Sequence, residues 1–143
     1  MNYAVVIYVL LSCILSYSIN SRASACIIPP YKFEVCVMNK LPPNTEPLLY
    51  HCASKDDDLG YRTLTTNKEF RFGFCLKPWR TLFFCRFNWG QKTKAFDVFN
   101  AKWVPKIPCK THTCYWIAKS DGIYFTGTYP FEGVPITKKF DWE

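Results

Sequence analysis

Three cysteines lie in short segments whose large apolar residues recur at every second position. The segments carry Leu48, Tyr50 and Cys52; Phe83, Cys85 and Phe87; and Cys114, Trp116 and Ala118. A period of two marks a strand with one buried face. Cysteines at the buried parity stand where strands can be cross-linked. The pattern therefore asks for a small β domain fastened by disulfides, in a compartment where such bonds persist.

The first residues name that compartment. Tyr3 to Leu15 are almost wholly apolar, a run too short to span a bilayer comfortably and typical of the core of a secretory leader. Ala23-Ser24-Ala25 puts small residues where a signal peptidase reads, so cleavage is expected after Ala25. The leader is unusual in having no Lys or Arg ahead of its apolar core. No second apolar run follows, so residues 26–143 are expected to form one secreted domain without a membrane span.

Seven cysteines remain after the leader: Cys26, Cys36, Cys52, Cys75, Cys85, Cys109 and Cys114. Paired C-x₂-C spacings of a zinc site are absent, and disulfides account better for this density behind a leader. No metal and no cofactor are expected. Seventeen Lys and Arg (18 without Arg22) face 11 acids, giving a net charge of +6. Such a surface is drawn to acidic wall polysaccharide, anionic headgroups or an acidic receptor. The basic residues are dispersed, which disfavours nucleic acid.

Further alternating segments surround Phe33, Val35 and Val37, then Phe70, Phe72 and Phe74, then Phe96 and Val98. Ser120-Asp121-Gly122-Ile123 reads as a hairpin, because Asp-Gly accepts the positive φ of a primed turn. Pro42-Pro43-Asn44, Lys77-Pro78 and Trp89-Gly90 punctuate other joints. No helical period is sustained. The reading is all-β: a small disulfide-stapled antiparallel β-sandwich of seven to eight strands, with its many aromatics in the core.

Parity sorts the cysteines. Cys52, Cys85 and Cys114 point inward; Cys36 and Cys75, beside Glu34 and Arg71, point outward. With Cys109 as fourth partner, three pairings are open. Cys52–Cys114 and Cys85–Cys109 are preferred, because Cys109–Cys114 closes only a tiny loop. On the chain-entropy model the preferred loops are worth roughly 4.3 and 3.5 kcal/mol. A Cys36–Cys75 bridge could form on the outer face. Cys26 is then the thiol left free, or the link of a disulfide-bonded homodimer.

At these residues the chain resembles the plant self-incompatibility protein family, the S-protein homologues. The likeness runs through Val35-Cys36-Val37-Met38-Asn39, His51 to Gly60, Thr81 to Cys85, Phe96-Asp97-Val98-Phe99, Cys109, Cys114-Tyr115-Trp116, Asp121-Gly122-Ile123-Tyr124 and Phe140-Asp141-Trp142. It implies a secreted β-sandwich with four shared cysteines, here Cys52, Cys85, Cys109 and Cys114. It also implies a ligand role, since the founding members are pistil proteins of poppy that act on pollen through a receptor. Three departures stand out: the three extra cysteines, Phe72 where the family commonly has Trp, and the lack of any Asn-x-Ser/Thr sequon.

Several candidate sites remain. Asp56-Asp57-Asp58 lacks the alternating spacing of a calcium loop and reads as a solvated turn whose carboxylates cap amides and pair with Lys55 or Arg62. His51 and His112 would suit a ribonuclease only if they converged. His51 lies at outward parity and His112 in a short cysteine loop, so no enzyme is expected. Specificity should sit in loops: Lys40–Asn44, Ser54–Gly60, Leu76–Arg80, Asn88–Lys92 and Lys102–Thr111. Their candidate partner-binding residues are Lys55, Asp56, Asp57, Asp58, Trp79, Arg80, Trp89, Lys92, Trp103 and Lys106. The function expected is a secreted ligand for a cell-surface receptor. A cationic defence protein binding anionic walls or membranes is the alternative.

Overall fold

The computed structural model describes residues 3, 7, 26, 32–103 and 106–143. The expected leader, apart from Tyr3 and Ile7, and its cleavage point lie outside the described residues. Among the described residues nine strands appear: β1 (Lys32–Asn39), β2 (Leu48–Ala53), β3 (Asp58–Leu64), β4 (Glu69–Cys75), β5 (Leu82–Trp89), β6 (Lys92–Asn100), β7 (Thr113–Lys119), β8 (Gly122–Thr126) and β9 (Thr137–Phe140). A 3₁₀ turn, Ala101–Trp103, follows β6. One sheet has the order β4-β1-β7-β8-β9 and the other β3-β2-β5-β6. The expected all-β sandwich is the fold. It has nine strands where seven to eight were expected; β3 and β9 were signalled neither by alternation nor by the Asp-Gly hairpin, and the sandwich is not wholly antiparallel. β1 and β7 run parallel, with Val35 opposite Cys114 and Val37 opposite Trp116. The whole second sheet lies between them in sequence, which supplies the long crossover that parallel neighbours need.

The alternating positions meet between the sheets. Phe33, Val35 and Val37 face Tyr50, Phe83, Phe87, Val98 and Phe99 in one buried cluster. An aromatic chain crosses it: Phe72–Phe83 at 5.1 Å, Phe83–Phe74 at 4.7 Å, Phe74–Phe99 at 4.8 Å and Phe99–Phe33 at 5.1 Å between ring centroids. Rings of 150–250 Å² each make such a thin core sufficient. The expected β7–β8 hairpin forms, with Lys119 opposite Gly122. Its glycine sits one place beyond the two turn residues, at φ +152°.

The outer face of the five-stranded sheet is covered too. Cys36, Met38, Tyr115 and Ile117 are buried there, with Tyr124 and Ile136 packed against them. Arg71 fastens the rim, 2.8 Å from both Glu34 and Glu69. Cys36 does point outward from the main core, as its parity requires, but into this second cluster and not into solvent.

The bridges correct the expected pairings. Cys52 is joined to Cys85, Cys109 to Cys114 and Cys26 to Cys75. Cys52 and Cys85 are direct cross-strand neighbours on β2 and β5, with Cα atoms 4.1 Å apart. Cys114 belongs to the opposite sheet, where it stands beside Val35 on β1 and is bonded to Cys109. The small Cys109–Cys114 loop forms because His112, at φ +60°, folds the chain back, its amide donating to the Cys109 carbonyl over 3.1 Å. Even a six-residue loop is worth about 2 kcal/mol on the entropy model.

A Cys36–Cys75 bridge is ruled out by register. Cys36 stands opposite Arg71 and Cys75 opposite Lys32, four positions along the strands or about 13 Å. Cys26 takes Cys75 instead, so among the described residues the unpaired thiol is Cys36. Being fully buried, Cys36 cannot link two chains of a folded homodimer.

One polar side chain is fully buried, with a partner at each of its polar atoms. Asn39 donates from Nδ2 to the Leu64 carbonyl over 2.7 Å and accepts at Oδ1 from the Leu41 amide over 2.8 Å. Its backbone amide and carbonyl are bonded to Lys68 and Asn67. It locks the β1–β2 and β3–β4 connections together.

Candidate functional site

The connections cluster at two ends of the sandwich. At one end lie β2–β3, β4–β5 and β6–β7. In the first, the Ser54 amide donates to the Asp57 carbonyl over 2.7 Å. Its Oγ accepts from the amides of Asp56 and Asp57 over 3.3 and 3.0 Å. This is the hydroxyl-capped turn that Ser favours. The Asp56 carboxylate reaches across to Lys77 at 3.9 Å, a neighbouring loop, and not to Lys55 or Arg62.

Asp58 has left the loop and opens β3. Its Oδ1 accepts from the Gly60 amide over 2.8 Å and lies 2.6 Å from His51 Nε2. The Gly60 bond first, then the His51 contact, holds its carboxyl below the usual range. The acidic triplet therefore diverges. Among the described residues no group of three His, Cys, Asp or Glu side chains is placed to hold a metal.

In the β4–β5 loop the Lys77 amide donates to Thr81 Oγ1 over 2.8 Å, and the Arg80 and Thr81 amides return to the Lys77 carbonyl at 3.1 Å each. The closed loop forces Trp79 to φ +63°, where its side chain is 70% exposed. A left-handed conformation in a bulky residue costs roughly 1–3 kcal/mol. Here an indole is held out into solvent between Lys77 and Arg80.

The β6–β7 connection joins this end through the Ala101 amide, which donates to the Thr81 carbonyl over 2.7 Å. Trp103 is half-buried, its ring 6.0 Å from that of Phe99. Trp103 and Lys106 then help to line a cleft of about 710 Å³. The cleft opens along the side of the sandwich, where edge strand β6 faces edge strand β9.

A model of the family described as plant self-incompatibility protein S1 matches residues 34–142. The chain belongs to that family. S-protein homolog 2 of Arabidopsis thaliana is 36% identical over 118 residues, which is 80% of this chain and 68% of that protein. S-protein homolog 5 is 40% identical over 77 residues, 53% of this chain and 58% of the relative. S-protein homolog 29 is 34% identical over 136 residues, 94% of this chain and 91% of the relative. A solved self-incompatibility protein homologue has the same fold, with a TM-score of 0.61 and 22% identity over 84% of this chain and 98% of its own. That structure is described as one of a widespread family of small, highly stable, secreted proteins from plants.

Within this S1-family domain, the residues read as one candidate surface divide among three places. Lys55, Asp56, Asp57, Trp79 and Arg80 lie at the end described above, whereas Trp103 and Lys106 line the cleft along the side. Trp89 and Lys92 sit at the other end and are tied into the fold. The Trp89 ring lies 6.1 Å from Trp142 and its Nε1 donates to Thr45 Oγ1 over 3.3 Å. Lys92 lies over the Trp89 ring at 5.1 Å and donates to the Ser120 carbonyl at 3.5 Å. Both close a sheet end.

The two histidines also part company. His51 stacks on Tyr61 at 4.4 Å on the outer face of the four-stranded sheet, whereas His112 packs on Phe33 at 4.7 Å. Sequence reading missed Tyr129 and Phe131, exposed in the β8–β9 connection, and Lys139 in the cleft wall. The aromatic-rich stretch from Tyr129 to Phe131 was the available signal for the first two.

Proposed function

We propose that this chain is a secreted ligand that binds a cell-surface receptor through the loop end carrying Trp79, without chemistry of its own. Three disulfides support an oxidising exterior as its place of work, in keeping with membership of the S1 family. The observation that carries the binding reading is the Trp79 side chain, exposed at the tip of a tightly bonded loop. Exposed Trp and Arg are the side chains that most often anchor interfaces, and a rigid loop loses little entropy on docking. The divergence of His51 and His112 supports a non-catalytic role.

Labelled protein applied to intact plant cells tests the proposal. Wild type should bind saturably, and Trp79→Ala should weaken binding at least about tenfold, as loss of an anchor residue does. The thermal midpoint should move little, because Trp79 is mostly exposed. Equal binding by wild type and variant, with affinity collapsing as salt rises, would instead identify a cationic protein that coats acidic wall polysaccharide or anionic membranes.

A further inference from the structure

The cleft between β6 and β9 has a floor and a rim of different chemistry. Phe96, Trp116, Phe125 and Phe140 form the floor, with Trp103 as one wall. Their rings are already in contact: Phe96 lies 4.8 Å from Trp116 and 5.0 Å from Phe140, and Trp116 lies 4.9 Å from Phe125. The Trp116 N–H is spent on the Val98 carbonyl at 3.0 Å. Phe96, Trp116 and Phe125 are themselves nearly buried and back the floor, while the half-buried Phe140 and Trp103 present its accessible ring surface; the Trp116 donor is not free.

Charge enters only at the rim, from Lys94, Lys106, Lys139 and Asp97. Lys94 is paired with the Glu143 carboxylate, and Asp97 accepts from Asn100 over 3.3 Å. Lys139 leans over the floor, its ammonium 6.0 Å from the Phe125 ring centroid, with Lys106 also on the rim. One cationic corner therefore overhangs an aromatic bed.

We propose that this cleft is a binding site for a small aromatic carboxylate, its ring on the floor and its carboxylate against Lys139. Size agrees, since small-molecule sites run to about 300–1,000 Å³. A sugar is disfavoured because a polyol needs several fixed hydrogen-bond partners. A phosphate dianion would call for more donors than this corner supplies. A planar ring suits a floor of rings, which pair at 4.5–7 Å by stacking or edge to face. This site is separate from the Trp79 loop, so the receptor proposal and this one stand or fall independently.

The probe is 2-naphthoate, titrated into ¹⁵N-labelled protein with its intact disulfides and followed by amide shifts. Saturable shifts confined to β6, β9, Trp103 and Lys106 are expected. The neutral analogue 2-naphthalenemethanol should bind at least about fivefold more weakly, and acetate should give no saturable shifts. Lys139→Gln should weaken naphthoate binding severalfold and leave the alcohol unaffected, with an unchanged thermal midpoint; Lys139→Arg should restore it. Equal affinity for acid and alcohol would overturn the proposal, as would indifference to Lys139→Gln. Tighter binding of dodecanoate than of naphthoate would also overturn it, showing an acyl-chain site. So would the absence of saturable shifts up to the solubility of the probe.

Discussion

The Trp116 indole donates to the Val98 carbonyl across 3.0 Å, from one sheet to the other. Val98 needs that partner. β5 pairs Phe83 with Phe99 and Phe84 with Asp97, so the bulge in β6 leaves Val98 without an opposite residue. Trp116→Phe keeps an aromatic ring but strands a buried acceptor, which costs about 1–3 kcal/mol, with lost packing added. Urea unfolding should show a lower midpoint at unchanged slope. A midpoint equal to wild type would mean the bond contributes nothing.

Asn39 should be still less replaceable. Its side chain satisfies the Leu64 carbonyl and the Leu41 amide inside the protein, and Asn39→Ala leaves both without partners. A loss of about 2–4 kcal/mol is expected from two such groups, measured by the same unfolding. Amide exchange should quicken in the β1–β2 and β3–β4 connections before the rest. A variant as stable as wild type would show that water replaces the side chain freely.

Cys36 makes a prediction with pH. Burial pushes its thiol up from 9.0 to about 12, with Arg71 opposing and Glu69 and Glu34 adding to the rise. The folded state therefore keeps its proton while the unfolded state loses it above pH 9. Stability is fully retained below pH 9 and falls as pH climbs toward 12, by up to about 1.4 kcal/mol per pH unit from this group. Cys36→Ala should flatten that alkaline decline. Iodoacetamide should modify Cys36 only at the rate of global opening. An alkaline profile identical in variant and wild type would contradict the assignment.

The seven strands that sequence reading found are those with one face in the main core, where alternation is forced. β3 and β9 were missed because both are edge strands with little burial, so period two is faint there. Parity told correctly which way Cys52, Cys85 and Cys114 point. It could not tell that Cys52 and Cys85 share a sheet while Cys114 does not, because pairing order is a long-range property. It also assumed solvent behind β1, whereas the segment around Ile136 folds back over Cys36 and Met38.

The site was legible in part for the same reason. Trp79 and Arg80 were visible as a loop from Lys77-Pro78. Trp89 resembles Trp79 in sequence, and only its contacts with Thr45 and Trp142 reveal that it fastens a sheet end. The cleft was hidden altogether, because residues from β6, β7, β8 and β9 line it together.

The most direct test is non-reducing peptide mapping of protein secreted by plant cells, alkylated before and after unfolding. The account predicts links of Cys52 to Cys85, Cys109 to Cys114 and Cys26 to Cys75, with Cys36 labelled only once the chain is unfolded. A Cys52–Cys114 link, any bridge that includes Cys36, or a chain retained in the cell with its thiols reduced would contradict it.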